Sequence, residues 1–440
     1  MELSNKLKNR DLYLQKLISF RDTEPVKVIT GIRRCGKSSL LKLMADYLRS
    51  QGIENDQIIE INFESMKYIN MDANGLYDYV TGKVLSNKKM YLFFDELQKV
   101  HRWQDAINSF RVDFSCDIYI TGSNAYLLSS EFSTYLAGRY IEIKMYPLSF
   151  KEFLSFHGYH IKERKNLLSN QTVKQVFDEK ENIYDNDELF LVYMNYGGMP
   201  GIADIGLEQE RVLTFLDGIY STIVVRDILE HQRQNDEPKV TNPDLLRKII
   251  MFLADNIGNN TSITSIGNVL VKEGLIDEGP KKKKPAVKTI QSYVQALLES
   301  YIFYEIKRFD IKGKEYLKTL GKYYITDTGL RNYILGFRDM DTGRIIENIV
   351  YFEFLRRGYD VAIGKIANKE IDFIVQKARD KKYVQVTDNM LSEDTREREL
   401  SPLRMVHDNY EKIVIAMHAD FNQDVDGIKI IKLTEFLLEN

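Results

Sequence analysis

Between residues 26 and 150, short apolar runs alternate with amphipathic stretches. The runs are VKVIT, IIEINF, KMYLFFDE, DIYITGS and RYIEIKMYPL; KSSLLKLMADYLRSQG and WQDAINSFRVDF lie among the stretches between them. Such β-rich runs separated by helical periods predict βαβ units and a parallel sheet. From 151 to about 240 the period is helical and strand signals are few, as in SFKEFLSFHGY, DNDELFLVYMNYGGMPGI and ERVLTFLDGIYSTIVVRDILEHQ. From 241 to 340 the order is a helix (PDLLRKIIMFLADNIG), a shorter helix, a basic loop, a third helix (KTIQSYVQALLESYI) and two strand-like runs, FYEIKRF and GKYYIT. That order predicts a winged helix. From 341 to 440 a helix, IIENIVYFEFLRRGY, leads into VAIGK, EIDFIVQ, KYVQVTD, KIVIAM and IKIIKL, a second α/β segment. The N-terminal MELSNKLKNRDLYLQKLISF reads as a short amphipathic lead-in helix, too charged for a secretory signal.

Composition changes this picture little. The 440 residues are 44% hydrophobic and 28% charged, a globular balance. No apolar run approaches the roughly twenty residues of a membrane span, so no membrane partner is expected. Two cysteines, Cys35 and Cys116, exclude a disulfide framework and point to a reducing cytoplasm. A net charge of -3 gives no global pull toward nucleic acid, so any basic surface is local. The six histidines are scattered and form no metal-ligand spacing, and the single tryptophan, Trp103, is expected in packing.

The first strand runs into GIRRCGKS, which fits G-x-x-x-x-G-K-[ST]. Glycines at 31 and 36 allow backbone conformations that turn several N–H groups toward one anion. A helix then begins at the lysine, so its N-terminal dipole faces the same anion. Gly31, Ile32, Arg33, Arg34, Cys35, Gly36, Lys37, Ser38 and Ser39 are therefore the candidate nucleotide-binding residues. Lys37 has the reach for the β- and γ-phosphates of ATP, and Ser38 suits a Mg²⁺ ligand. Downstream, MYLFFDE is a buried strand ending in two carboxylates. In a parallel sheet ligands bind at the carboxyl ends of strands. Asp95 is thus the candidate Mg²⁺ residue, and Glu96 the group that orients and deprotonates the attacking water. The next strand ends YITGSNAYLL, where Asn124 is the first choice and Ser123 the second for sensing the γ-phosphate; an ordinary satisfied turn is the alternative. Arg139, just before the fifth strand, suits charge stabilisation in a neighbouring subunit, or a surface salt bridge.

These residues, in this order, resemble an AAA-type ATPase of the additional-strand class. The resemblance implies ATP as nucleotide, a first strand placed between the fourth and fifth, and Arg139 as an arginine finger acting in a homo-oligomer. NYGGMPG, at 195 to 201, resembles the glycine–x–proline lid element of related signal-transduction ATPases, which would set Pro200 near the adenine. A tight turn between helices is the plain reading. YPLSFKEF, YGGMP, YYITDTGLRN and IIENIVYFEFLRRGYDV resemble a widespread prokaryotic group with an AAA-type core and a C-terminal domain of unknown function. The implied architecture is an ATPase core over 1–150, a helical lid over 151–240, a winged helix over 241–340 and a restriction-endonuclease-like domain over 341–440.

An active domain of that last kind needs a carboxylate on one strand and a glutamate and lysine two residues apart on the next. Glu347 (Glu353 is the weaker choice) and Asp372 fit, but Gln385 stands where the glutamate should be and Thr387 where the lysine should be. An amide is a poor Mg²⁺ ligand and threonine replaces no ammonium group, so a degenerate site is expected unless Lys381 or Lys382 supplies the cation. In the winged-helix stretch, PKKKKPAVKTIQSYV puts Lys281, Lys282, Lys283, Lys284 and Lys288 before or at the start of a candidate recognition helix. Lys288, Thr289 and Gln291 would face the DNA groove; a solvated basic loop is the alternative. The expected function is Mg²⁺-dependent ATP hydrolysis coupled to DNA or to a protein partner. A slow nucleotide switch or scaffold and an ATP-gated nuclease are the rivals.

Overall fold

The computed structural model describes residues 7–123, 138–165, 172–230, 240–272, 287–338, 341–419 and 423–439. They fall into two compact units: Met1–Tyr146 with Glu299–Tyr301, and the remainder from Pro147.

In the first unit, the lead-in helix α1 (Asp11–Ser19) precedes strand β1 (Val26–Thr30). Helix α2 (Lys37–Ser50), β2 (Ile58–Asn62), α3 (Ala73–Thr81), β3 (Met90–Asp95), α4 (Trp103–Asp113), β4 (Cys116–Gly122) and β5 (Tyr140–Lys144) follow. The sheet order is β2-β3-β4-β1-β5, and the neighbours are parallel throughout. The first strand does lie between the fourth and fifth. Strands β1 and β3 are buried at every position, which is why they read as continuous apolar runs rather than alternating ones. Leu92 and Phe94 pack with Ile107 and Phe110 of α4 and with Leu76 and Val80 of α3 in one cluster. Each such side chain contributes about 1.5–3 kcal/mol by burial. One polar pair interrupts the sheet. Lys27 and Asp117, both fully buried, meet at 2.5 Å, and the Asp117 carboxylate also accepts from the Tyr119 hydroxyl and the Asp22 amide.

The second unit opens with a capped helix, Phe150–Phe156, in which Ser149 and Glu152 form a reciprocal capping box. The expectation of a helical lid over 151–240, with few strands, needs correction. Strands β6 (His160–Lys165), β7 (Thr172–Phe177) and β8 (Ile183–Tyr184) form an antiparallel sheet between the helices. Helices Asn186–Tyr196 and Gln209–Ser221 come next, the latter continuing as a π-helical turn, Thr222–Glu230. Three helices, Pro243–Asp255, Ile263–Lys272 and Val287–Glu299, precede a hairpin of β9 (Phe303–Asp310) and β10 (Glu315–Ile325).

That hairpin does not end a separate domain. It is the edge of an eight-stranded sheet, β10-β9-β11-β12-β13-β14-β16-β15, so the boundary expected at 340 falls inside one sheet. Its other members are β11 (Asp360–Ile366), β12 (Lys369–Lys377), β13 (Asp380–Asn389), β14 (Glu411–His418), β15 (Gln423–Val425) and β16 (Ile428–Lys432). Alternation along β12 sends Ile374 toward Leu400 and Leu403 of helix Glu393–Arg404, and Phe373 toward Tyr351 of helix Thr342–Arg356.

The four phrases quoted for the C-terminal resemblance meet in this unit. Asp327 accepts from the Gly198 amide at 2.7 Å and the Leu330 amide at 3.0 Å. The Leu148 amide donates to the Gly198 carbonyl at 2.7 Å, and Arg356 donates to the Pro147 carbonyl at 3.1 Å. A Cβ at Gly197, where φ is +78°, would lie 2.2 Å from the Asp327 carboxylate; one at Gly198 would lie 2.3 Å from the Leu148 carbonyl. Packing alone therefore requires Gly197 and Gly198 of NYGGMPG.

Candidate functional site

Three strands of the first unit end side by side: β1 at Thr30, β3 at Asp95 and β4 at Gly122. The turn after β1 is tightly confined. Gly31 has φ +142°, and a Cβ there would lie 2.0 Å from the Met145 carbonyl, so no side chain fits. Gly36 caps α2 in the left-handed region, φ +104°, with no side-chain cap on the first amides. An uncapped helix start over a glycine turn is the donor set that an anion uses. Lys37 is buried, and its ammonium group donates to the Gly31 and Ile32 carbonyls at 2.9 and 3.0 Å. Ile32 and Cys35 are buried in the loop's inner wall; Arg34 and Ser38 are exposed, and Gly36 and Ser39 are half-buried. Arg33 reaches Glu64, beyond β2, at 2.8 Å.

The acidic pair sits opposite the loop. Asp95 Oδ1 accepts from Thr121 at 2.6 Å and from Ser38 at 3.1 Å, while Oδ2 accepts from Asn62 at 2.8 Å. Burial pushes the Asp95 carboxyl upward, opposed by the Thr121 and Ser38 hydrogen bonds and by Lys37; the neighbouring Glu96 adds to the rise. Glu96 stands at φ +57°, an uncommon conformation for a residue with a side chain. Its amide donates to Thr121 Oγ1 at 3.0 Å, and its carboxylate accepts from Ser123 at 3.1 Å and Gln98 at 2.5 Å. Thr121 thus ties the Asp95 carboxylate and the Glu96 backbone to the end of β4. These residues fit a magnesium nucleoside triphosphate: glycine turn and lysine for phosphates, a hydroxyl beside a carboxylate for the cation.

Sequence reasoning missed Asn62, Thr121, Gln98 and Glu64. Their one readable signal was position, since Asn62 and Thr121 close strands at the edge where ligands bind. Ser123, the second choice, contacts Glu96. Asn124, the first choice, lies outside the described residues, as do Lys281, Lys282, Lys283 and Lys284. Arg139 is exposed at the start of β5, where its carbonyl accepts from the Val26 amide. Pro200 belongs to the second unit, in the turn opening helix Ile202–Ile205. Lys288 and Gln291 are exposed and Thr289 half-buried at the start of helix Val287–Glu299.

In the C-terminal sheet, Glu347 accepts from Lys322 at 2.9 Å and from Tyr324. Lys322 also meets Glu370 at 2.9 Å. Burial would lower the Lys322 ammonium, yet Glu347, Asp372 and Glu370 hold it above the ordinary lysine range. Asp372 accepts from the Val386 amide, and burial, with Glu347 nearby, pushes its carboxyl up to about 8. Gln385 spends its amide bridging the Asp372 N–H and the Glu399 carboxylate, at 2.8 and 2.9 Å. Lys382 pairs with Glu411, and Lys381 lies over the Tyr383 and Tyr410 rings. Glu353 is tied to Arg356 and Arg357. Among the described residues no group of three or more histidine, cysteine, aspartate or glutamate side chains is arranged to hold a metal. No helix among them is long and apolar enough to cross a membrane.

Residues 23–154 match the family described as an AAA domain, so the first unit is an AAA-type P-loop ATPase domain. Residues 187–341 match a domain of unknown function, DUF8612. An uncharacterized protein of Haemophilus influenzae is 40% identical over 441 aligned residues, 99% of this chain and 100% of its own length. This chain belongs to the same family as that protein. The uncharacterized protein MJ1544 of Methanocaldococcus jannaschii is 29% identical over 98% of this chain and 86% of its own. Among solved structures, the Walker-type ATPase PABY2304 of Pyrococcus abyssi is 16% identical with TM-score 0.46, covering 74% of this chain and 95% of its own. The RuvB Holliday junction branch migration motor of Thermotoga maritima is 15% identical with TM-score 0.33, over 67% and 89%.

Proposed function

We propose that the chain hydrolyses ATP with Mg²⁺ and couples turnover to DNA or to a protein partner. The observation that carries the reading is the single network joining Ser38, Asp95, Thr121 and Glu96 at the strand ends beside the phosphate loop. Bound Mg–ATP supplies the electrophilic phosphorus and the cation. Lys37 and the loop amides bind the β- and γ-phosphates, and Ser38 with Asp95 holds the cation. Glu96 takes the proton of the attacking water as its oxygen bonds to phosphorus, and ADP leaves.

Arg139 acts on the nucleotide of a neighbouring copy, which makes the working form a homo-oligomer. It enters β5 at the amino edge of a parallel strand, roughly 15 Å from the loop edge at about 3.3 Å per residue, too far to serve its own site. Three helices, a hairpin and the Thr261–Gly321 bridge support a winged helix over 241–340, with Lys288, Thr289 and Gln291 as DNA contacts. Pro200 as an adenine contact belongs to the same reading. The pairing of the Glu347 carboxylate with Lys322 and the committed Gln385 amide support a degenerate nuclease-like domain that does not cut DNA. The two thiols are free, which suits a reducing cytoplasm.

Phosphate release by wild type and Glu96→Gln, with and without duplex and single-stranded DNA, tests the reading. DNA stimulation abolished in the mutant makes this a nucleic-acid-coupled ATPase. Turnover that ignores DNA favours a protein-partnered switch, and no turnover with either chain overturns hydrolysis.

A further inference from the structure

Directly after the acidic pair the chain makes a short 3₁₀ turn, Leu97–Lys99, with Glu96 at its start in the left-handed region. The Lys99 amide closes the turn on the Glu96 carbonyl at 3.2 Å. Leu97 and Val100 anchor it, both buried in the cluster that holds Phe94 and Ile107. On its outer side the Lys99 ammonium group reaches Glu64 at 3.1 Å. The turn folds Gln98 back over the residue two places before it, so that its amide Nε2 donates to Glu96 Oε2 at 2.5 Å. Ser123, just past the end of β4, donates to the same oxygen at 3.1 Å.

Two features single this contact out. An ionised carboxylate only accepts, so the amide meets it through nitrogen and its oxygen points elsewhere. Among the described residues that oxygen, Gln98 Oε1, is buried with no hydrogen-bond partner. The bond to Glu96 is therefore the one that orients the amide, and the orphan acceptor left beside it is a cost that packing does not explain. The second feature is the convergence of both donors on Oε2. No described residue donates to Glu96 Oε1, which leaves that oxygen as the open acceptor of the carboxylate.

We propose that Gln98 is a positioning residue for hydrolysis: together with Ser123 it locks Glu96 Oε2, so that Oε1 is the oxygen presented to the attacking water. This rests on the reading of Glu96 as the proton acceptor. The O–H bond of the water breaks toward Oε1 as its oxygen bonds to phosphorus and ADP leaves, and Gln98 itself exchanges no proton. The Gln98 amide bonds neither to the phosphate loop nor to Ser38 or Asp95, so its loss slows the chemical step and spares nucleotide binding.

The test uses the full chain. KM and kcat from phosphate release, the affinity for a fluorescent ATP analogue and the melting temperature are measured for wild type, Gln98→Met, Gln98→Glu, Glu96→Gln and the double variant Glu96→Gln with Gln98→Met. Gln98→Met keeps the length of the side chain and removes the donor. It should lower kcat about tenfold or more, the range that a hydrogen bond to a charged group carries, with KM and the dissociation constant of the analogue within about twofold of wild type. Its melting temperature should not fall, because the substitution also removes the orphan oxygen. Gln98→Glu, which turns a carboxylate toward Glu96, should lose at least as much kcat. The double variant should be no slower than Glu96→Gln alone, since Gln98 acts only through that carboxylate. A kcat within about twofold of wild type in Gln98→Met, a loss carried equally by KM, a loss that multiplies in the double variant, or a lowered melting temperature with no separation of kcat from KM overturns the proposal. If Gln98→Met fails to fold, Gln98→Glu decides by the same split. A wild type without turnover, or a Glu96→Gln variant as fast as wild type, fails the hydrolysis reading itself, whereas a slow Glu96→Gln beside a Gln98→Met at the wild-type rate fails only the role of Gln98.

Discussion

Asp327 offers a prediction whose sign changes with pH. The carboxylate is buried, accepts from the amides of Gly198, Gly329 and Leu330, and has Arg356 nearby. Burial outweighs these favourable contacts and pushes its carboxyl up to about 6. The folded state then holds the proton more tightly than the unfolded chain does. Between the ordinary carboxylate range near pH 4 and pH 6, unfolding releases a proton, so stability falls as pH rises. At about 1.4 kcal/mol per tenfold change in proton affinity, carrying the ionised group above pH 6 costs about 3 kcal/mol relative to pH 4. Asp327→Asn removes the titration and keeps one acceptor, but turns an amide donor toward a backbone N–H, a loss of about 1–3 kcal/mol. The variant should therefore be less stable than wild type by about 1–3 kcal/mol at pH 4.5, and equal or more stable at pH 7.5. Urea unfolding followed by circular dichroism, at half-unit steps across that range, reads the difference. A stability difference that stays flat with pH, or that grows as pH rises, would refute the argument and place the carboxylate's stabilising contacts above its desolvation.

Three further outcomes follow from buried networks elsewhere. Asp117→Ala leaves the Lys27 ammonium unpaired in the sheet and should cost about 3–5 kcal/mol in urea unfolding monitored by Trp103, while Lys27→Met with Asp117→Leu should recover most of it. Thr121→Val frees both Asp95 and Glu96, and should lower kcat about tenfold or more and raise the Mg²⁺ concentration for half-maximal phosphate release; an unchanged Mg²⁺ dependence refutes its role as the tie. Lys322→Met strands Glu347, Glu370 and Asp372 without their cation, and should cost about 3 kcal/mol or more at pH 8 and less at pH 6, where Asp372 is protonated. An equal cost at both values would remove Asp372 from the cluster.

What the sequence made legible was local. A phosphate turn between a buried strand and a helix is eight consecutive residues, and a parallel strand buried on both faces is one apolar run. Both survive in the structure where they were read. The strands of 160–184 were not legible, because His160–Lys165 is mostly exposed and carries no alternation that a buried face would impose. The ties at the site were hidden for another reason. Asn62, Asp95 and Thr121 sit at the ends of three different strands, and only the sheet order makes them neighbours. The spacing along β13, the next strand, points to Lys381 or Lys382 as the cation beside Asp372. The lysine paired with Glu347 and Glu370 in that cluster is instead Lys322, from a hairpin fifty residues before Asp372, and no spacing along one strand reveals it.

The same logic separates the two glycine-rich segments. Gly31 and Gly36 are paired with an uncapped helix start, a buried lysine and a carboxylate beside a hydroxyl, each a requirement of phosphate and cation chemistry. Gly197 and Gly198 are paired with Asp327 and Leu148, main-chain and carboxylate partners that the fold itself provides and satisfies. A glycine turn whose close neighbours are all satisfied by packing has explained itself. A turn that aims donors outward from a helix start has not, until an anion is supplied.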